Sequence, residues 1–391
     1  MGRYRILYLV RWVPYPPNSG TRIRQFQLLS AYSQMADVVL VCYYADEVEL
    51  AAVSALAPYC ADIHPMSFRR RHGDFGGSRL LGRWGQLKHV DPARPFLANF
   101  CFSREMKRLV ERTAASCDLV HVGRLHMTPH VQTLLDRRPP GLRFVLDLDD
   151  IETVLRRREL REAPPRDLHK RAFSHLDLCR LRRYQRRSLG SYDRVLVCSE
   201  ADRRQLDGQA RVSVVPNGAD LPADPLHDRS DGRTLLCLAT YGHWPNVHGL
   251  RFFVAKVFPL IQEELNGARL LVVGRDTPRE VQALHDGQAI FVERTVPSVE
   301  EYYQRATVAV VPLRIGAGTR LRILEAFALG RPVVSTTIGC EGLEVVDGRD
   351  LLVADEPRAL ADACIDLLRD PGLRERLVRA GRELVKRHYT W

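Results

Sequence analysis

No run of apolar residues in this chain approaches the roughly eighteen needed to cross a bilayer as a helix, which sets aside an integral helical membrane protein. The segment after Met1 is charged and proline-rich where a signal peptide would be apolar, so the expectation is a protein that stays in the cytoplasm. No two cysteines stand as C-x-x-C: the nine, at 42, 60, 101, 117, 179, 198, 237, 340 and 364, are odd in number and scattered. That argues for reduced thiols and against both a disulfide framework and a zinc site. No RNP, zinc-finger or helix-turn-helix pattern occurs, and aromatics do not interleave the arginine runs, so a nucleic-acid binder is disfavoured. Asp147, Asp149 and Asp150 invite a metal, but no histidine or further carboxylate is spaced to complete a site. The expected metal set is therefore none, with capping by Asp149 or Asp150 and Glu152 in the following helix's first turn.

What the chain does have is length and an uneven charge. Its 391 residues, 45% hydrophobic and 27% charged, suffice for two ordinary domains. The net charge of +11 divides unequally: residues 1–215 hold 36 Lys and Arg against 23 Asp and Glu, and residues 216–391 hold 22 against 24. A basic half implies an anionic partner such as a phosphorylated acceptor, an anionic lipid surface or nucleic acid. The competing explanation, an arginine-favouring genome, accounts for residue choice better than for the asymmetry.

The most informative stretch runs from Val308 to Thr336. Val308–Val311 reads as a strand buried on both faces, and Gly316 and Gly318 let the backbone turn sharply beside a ligand. Thr319 is placed to cap a helix that stops at Gly330, with Pro332 beyond. Arg320 and Arg322 put positive charge in its first turn, which makes sense if an anion sits there, and Glu325 is near enough to the same end to reach a ribose. The same residues can equally be a tight strand-to-helix turn with Glu325 exposed on the helix.

Arg314-Ile-Gly-Ala-Gly-Thr-Arg-Leu-Arg-Ile-Leu-Glu-Ala-Phe-Ala-Leu-Gly-Arg-Pro-Val-Val-Ser-Thr336, with Gly339-Cys-Glu-Gly-Leu343 after it, resembles the donor-site signature of glycosyltransferase family 4. Within that family it is most similar to sugar transferases of bacterial exopolysaccharide gene sets. The resemblance implies an α/β protein of the GT-B fold, two facing Rossmann-like parallel-sheet domains with the active site in the cleft between them. It implies sugar transfer from a nucleotide diphosphate with retention, no bound metal, and no cofactor besides the donor. It also implies that Glu325 holds the ribose while Gly316, Ala317, Gly318, Thr319 and Arg320 face the diphosphate. Many members carry a second glutamate where Ala317 stands, so contacts to the sugar hydroxyls are expected from elsewhere, backbone amides of the loop included.

In the first half, Ile6–Val10, Val38–Tyr43, Ile63–Met66, a strand after Asp118, one ending in Asp147, Arg194–Cys198 and Val212–Val215 read as strands. The proline-stiffened loop after the first leads through Asn18, Ser19 and Gly20 into a helix near Thr21. It lies where open α/β sheets place ligands, and resembles the family loop that closes over acceptor and donor phosphate, with Arg22 and Arg24 following. Family members often have a second histidine directly after the fourth strand, beside the reacting sugar. Gly123 occupies that slot, and His126 or Arg124 is expected to stand in as the catalytic group. A basic glycine-rich loop follows at 69–79, and an arginine-crowded helical stretch runs from Arg156 to Arg187, with Leu176, Leu178, Leu181 and Leu189 as apolar anchors. It is either a basic amphipathic helix or a solvated charged face.

Pro216–Asp220 resembles the family's interdomain turn, giving a first, acceptor-binding domain at 1–220, a linker at 221–233 and a nucleotide-sugar domain at 234–391. Strands near Leu235, Leu270, Ile290, Val308, Val333 and Leu351 alternate with helices, so a second parallel sheet is expected. Family members grip the diphosphate with an arginine and a lysine after the first of these strands. Here Tyr241–Gly249 lacks that pair, and His243 and Asn246 are expected to share the task with Arg320. Members also continue beyond a Tyr-x-Trp like Tyr389–Trp391 with a helix that returns to the first domain, so a weaker link between the domains is expected. The expected activity is retaining hexosyl transfer to a glycan or lipid-phosphate-linked acceptor, with peripheral docking of the basic half at the anionic inner membrane face. The rival within the fold is a nucleotide-sugar epimerase.

Overall fold

The apolar, β-branched runs in the middle of each sheet form strands, because a parallel sheet covered on both faces buries the side chains on either side of such a run. The computed structural model describes residues 3–68, 91–162, 167–206, 208, 211–294, 296 and 298–391. The 69–79 loop lies outside the described residues. The chain forms two compact units, Met1–Val215 and Pro216–Trp391.

The first unit holds seven strands: β1 (Tyr4–Trp12), β2 (Ala36–Tyr44), β3 (Asp62–Ser67), β4 (Leu119–Gly123), β5 (Arg143–Asp147), β6 (Arg194–Val197) and β7 (Val212–Val214). They pair in the order β3-β2-β1-β4-β5-β6-β7, and every pairing is parallel. The second holds β8 (Thr234–Thr240), β9 (Arg269–Arg275), β10 (Ile290–Arg294), β11 (Val308–Val311), β12 (Val333–Ser335) and β13 (Leu352–Val353). Their order is β10-β9-β8-β11-β12-β13, again parallel throughout. In each sheet the chain runs outward to one side and then returns to the other side of its first strand. The switch points, β1 beside β4 and β8 beside β11, are where loops diverge at the carboxyl edge and leave a crevice. Leu9 pairs with Val122 across the first, and Leu236 with Ala309 across the second.

Two expectations about elements change. Among the described residues the arginine-crowded stretch carries two helices, Glu152–Glu162 and Leu168–Leu189. Leu178, Leu181 and Leu189 are buried in the second helix, but Leu176 is exposed. The 221–233 stretch, expected as a linker, is bonded to the second unit. Leu226 N donates to Leu329 O at 3.2 Å, Arg229 N to Gln304 O at 3.0 Å, and Arg331 pairs with Asp228 at 2.9 Å. Pro216–Asp220 also lies in that unit, where Ala219 N donates to Tyr389 O at 2.7 Å.

All nine cysteines are thiols. Among the described residues no helix is long and apolar enough to cross a membrane.

Candidate functional site

At the first switch point β1 feeds the Pro14–Ser19 loop and the helix Gly20–Met35, while β4 feeds a 3-10 turn at Leu125–His130. Gly123 ends β4 in a tight place: a Cβ there would stand 3.0 Å from Val10 Cγ1 and 3.3 Å from Gln25 Nε2. Glycine lets the helix lie close over the switch point, which accounts for the residue without reference to chemistry.

Arg24, expected at a phosphate, is instead wholly buried. Its Nε and Nη2 donate to the Asp147 carboxylate at 2.7–3.1 Å, and its Nη1 donates to Val215 O at 2.8 Å. A guanidinium fork matched to a carboxylate satisfies both buried charges. Burial opposes both ions, yet the pairing prevails, raising Arg24 and holding Asp147 below the usual carboxylate range. Arg22 likewise pairs with Glu49.

Arg124 adopts φ +81°, and its guanidinium meets Asp149 and Asp150, each at 3.0 Å, and donates to Thr21 Oγ1 at 2.7 Å. Thr21 Oγ1 in turn donates to Asp149 Oδ2 at 2.8 Å. These carboxylates therefore neutralise an arginine, and Ile151, not either aspartate, immediately precedes the Glu152–Glu162 helix. The expected capping role is replaced by ion pairing, and Arg124 is an organiser of three loop ends more than a free catalytic cation.

His126 remains available. Its Nδ1 lies 2.7 Å from Glu152 Oε1, and its buried Nε2 has no hydrogen-bond partner among the described residues. Burial pushes the imidazole below its ordinary value, against the pull of Glu152. Burial would raise Glu152, but His126, Arg124 and Arg156 hold it below the usual carboxylate range. The consistent state is a neutral ring donating from Nδ1 to an ionised Glu152, which leaves the Nε2 lone pair unspent. Asn18 Oδ1, in the loop after β1, is a second buried acceptor without a partner among the described residues. Its own N–H donates to Pro16 O at 2.8 Å. Ser19 precedes the helix with extended backbone but makes no side-chain cap, and Gly20 is the first helical residue.

At the second switch point the loops after β8 and β11 touch through a glycine. A Cβ on Gly249 would lie 2.6 Å from Pro312 O, so the Trp244–Phe252 helix can approach the signature loop only without a side chain there. Arg314 stacks its guanidinium 4.7 Å from the Phe252 ring. His243 precedes that helix with its N–H on Thr240 O at 3.2 Å, and Asn246 Nδ2 donates to the same carbonyl at 2.8 Å. Asn246 therefore closes the turn after β8, a structural use of the amide expected at the diphosphate.

The signature helix is short, Leu321–Ala328, and begins later than expected: Arg320 precedes it, and Thr319 does not cap it. Thr319 Oγ1 accepts from Asn217 Nδ2 at 2.8 Å, so the Pro216-Asn217-Gly218 motif buttresses the loop from 102 residues away. Gly318 has φ +72°. Arg320 folds back over the turn, its Nη1 donating to Ala317 O, and its Nη2 fills the place a Cβ on Gly316 would take, 1.7 Å from that position. The guanidinium therefore lies on the glycine turn. Arg322 pairs with Glu325 at 2.7 Å, so its charge is already answered within the helix. Glu325 Oε2 also accepts from Tyr303 OH at 3.0 Å. The helix stands firm because Phe327 and Leu324 are buried and Gly381 of the Pro371–His388 helix admits Phe327 closely, where a Cβ would meet its ring at 2.6 Å.

The Glu152–His126, Arg24–Asp147, Asn217–Thr319 and Tyr303–Glu325 partnerships were missed from the sequence. Each joins separate elements, and nothing in local spacing marks them.

Residues 232–370 match the family described as Glycosyl transferases group 1. The phosphatidyl-myo-inositol mannosyltransferase of Mycobacterium leprae is 30% identical over 213 residues, 51% of this chain and 55% of that protein. The chain thus spans about half the length of that relative. An uncharacterized 44.6 kDa protein in the cps region of Klebsiella pneumoniae is 22% identical over 357 residues, 88% of this chain and 85% of that one. The Anabaena protein Alr3699/HepE, solved in complex with UDP and glucose, superposes with a TM-score of 0.64 at 14% identity, covering 99% of this chain and 96% of that one. The second unit thus carries a glycosyl transferases group 1 domain, and the chain, with two Rossmann-like parallel-sheet units, has the GT-B fold.

Proposed function

We propose that the protein is a retaining, metal-independent glycosyltransferase that moves a hexosyl group from a nucleotide-diphosphate donor to a glycan or lipid-phosphate-linked acceptor. The observation that carries this reading is the group 1 match over residues 232–370, which contains the whole Gly316–Glu325 arrangement at the β8/β11 switch point. A UDP-bound relative of the same fold supports a nucleotide sugar as donor. The cps-region relative supports a place in bacterial exopolysaccharide or cell-surface glycan synthesis. No cofactor besides the donor is invoked.

In this reading the donor diphosphate lies on the Gly316–Thr319 backbone, with the Arg320 charge over the turn, and the free oxygen of Glu325 takes the ribose. The bond from the anomeric carbon to the diphosphate oxygen breaks, and one to the acceptor oxygen forms on the same face. The acceptor proton passes to the departing phosphate. Stabilising the leaving diphosphate and positioning the acceptor supply most of the rate. His126 Nε2, neutral, is a group in the first unit suited to accept a hydrogen bond from a sugar hydroxyl. Docking of the basic first half at the inner membrane face belongs to the same proposal.

The test is a panel of nucleotide sugars screened for thermal stabilisation, followed by product analysis with the stabilising donor and candidate acceptors. Transfer with retained anomeric configuration supports the reading. Conversion of the donor without an acceptor would make the protein an epimerase instead, and stabilisation by no nucleotide sugar would refute the donor assignment.

A further inference from the structure

In the first unit the arginines of the loop expected at acceptor and phosphate, and the arginine expected as a catalytic group, are occupied by carboxylates: Arg24 by Asp147, Arg22 by Glu49, and Arg124 by Asp149 and Asp150. A group of arginines without such partners among the described residues lies elsewhere in the unit. A cavity of about 500 Å³ opens between the Glu152–Glu162 and Leu168–Leu189 helices, and Arg157, Arg182, Arg183 and Arg186 line it. Among the described residues no acidic side chain lines it, and none of the four arginines has an ion pair. Arg182 and Arg186 sit one helical turn apart, where like charges repel, and Arg157 brings a further guanidinium from the facing helix. A solvated arginine face would spread such charges over a convex surface. Here they converge on a concavity, and Gln185, buried and accepting from Thr153 Oγ1 at 3.1 Å, lies in the same lining. The volume falls within the roughly 300–1,000 Å³ of small-ligand sites, and guanidinium forks match phosphate oxygens better than any other anion-binding side chain.

We propose that this cavity is a binding site for a phosphate- or diphosphate-bearing ligand, separate from the switch-point residues of either unit. The proposal does not depend on the glycosyltransferase reading. Cys179 lines the same cavity and is exposed, which supplies a reporter. In the full-length protein, the rate at which iodoacetamide alkylates Cys179 is followed by mass spectrometry of its peptide, at constant ionic strength. Inorganic pyrophosphate is added in one arm, vesicles containing phosphatidic acid in a second, and phosphatidylcholine vesicles in a third. The expected result is protection of Cys179 by pyrophosphate or by the phosphatidic acid vesicles but not by phosphatidylcholine. Protection by pyrophosphate identifies a soluble phosphate source, and protection by the anionic vesicles alone identifies a lipid headgroup.

The double variant Arg182→Gln/Arg186→Gln, at exposed positions, should weaken the protecting interaction about tenfold or more, since it removes charge-assisted bonds to phosphate. Arg376→Gln/Arg379→Gln removes the same charge from exposed positions of the second unit and should leave protection unchanged. Arg320→Ala should also leave it unchanged. Three results would overturn the proposal: no protection in any arm, equal loss in both double variants, or protection abolished by Arg320→Ala.

Discussion

Replacing Arg24 with alanine separates a structural arginine from a ligand-binding one. In the native protein its guanidinium makes three contacts of 2.7–3.1 Å to Asp147 and one of 2.8 Å to Val215 O, with both partners almost wholly excluded from water. Arg24→Ala leaves the Asp147 carboxylate buried without its counter-ion, and breaking a buried pair from one side costs about 3–5 kcal/mol. Asp147 is held below its ordinary range by Arg24, so its contribution is present above the unfolded carboxylate value and disappears as pH falls through the lower folded one. The loss in the variant should therefore be full at pH 7 and shrink in acid. Because the chain has two units, global unfolding is a poor gauge. Hydrogen exchange of the β1, β4 and β5 amides reads the first unit directly, and exchange should quicken on the order of 10²–10⁴-fold. Arg24→Met with Asp147→Leu should recover most of the protection, because apolar replacement of the whole pair removes the orphaned charge. Unchanged exchange together with lost phosphate binding would refute this reasoning and restore Arg24 to the ligand.

Burial takes His121 down to about 4 from 6.5, so the unfolded chain binds the extra proton between those values and stability should fall as pH drops through that window, by about 3 kcal/mol in all. His121→Gln should flatten that slope in β4 exchange, and a slope left intact would assign the acid sensitivity to other groups. Gly316→Ala should cost little stability, because its Cβ meets only the end of the Arg320 side chain, yet it should weaken nucleoside diphosphate binding by displacing that side chain. Gly249→Ala presses on the Pro312 carbonyl and should cost about 1–3 kcal/mol in thermal unfolding; equal melting temperatures for the two variants would contradict this. Glu325→Ala should lower nucleoside diphosphate affinity by about 1.5–3 kcal/mol, and it should also lower the melting temperature because Tyr303 and Arg322 lose their acceptor. Glu325→Gln keeps an acceptor for Tyr303, so calorimetry should find weaker binding with stability preserved; weaker stability with unchanged binding would remove Glu325 from the ribose.

By itself the sequence determined the two parallel sheets, since a strand buried on both faces must be apolar at every position, and runs such as Val38–Tyr43 and Val308–Val311 announce it locally. It also placed the candidate loops, because a glycine turn after such a strand falls at the sheet's carboxyl edge wherever the strand sits. Tertiary structure alone decided which charges are spent. Arg24 and Arg124 read identically to Arg182 and Arg186 along the chain, yet the first two meet aspartates from another strand's end while the latter two face an open cavity. Thr319 reads as a cap but serves as an acceptor for Asn217, and Asn246 reads as a ligand but closes its own turn. A guanidinium or an amide has the same chemistry in every context. Whether it meets a carboxylate, a carbonyl or solvent depends on residues as much as 191 positions away, and only folding brings those within hydrogen-bond reach.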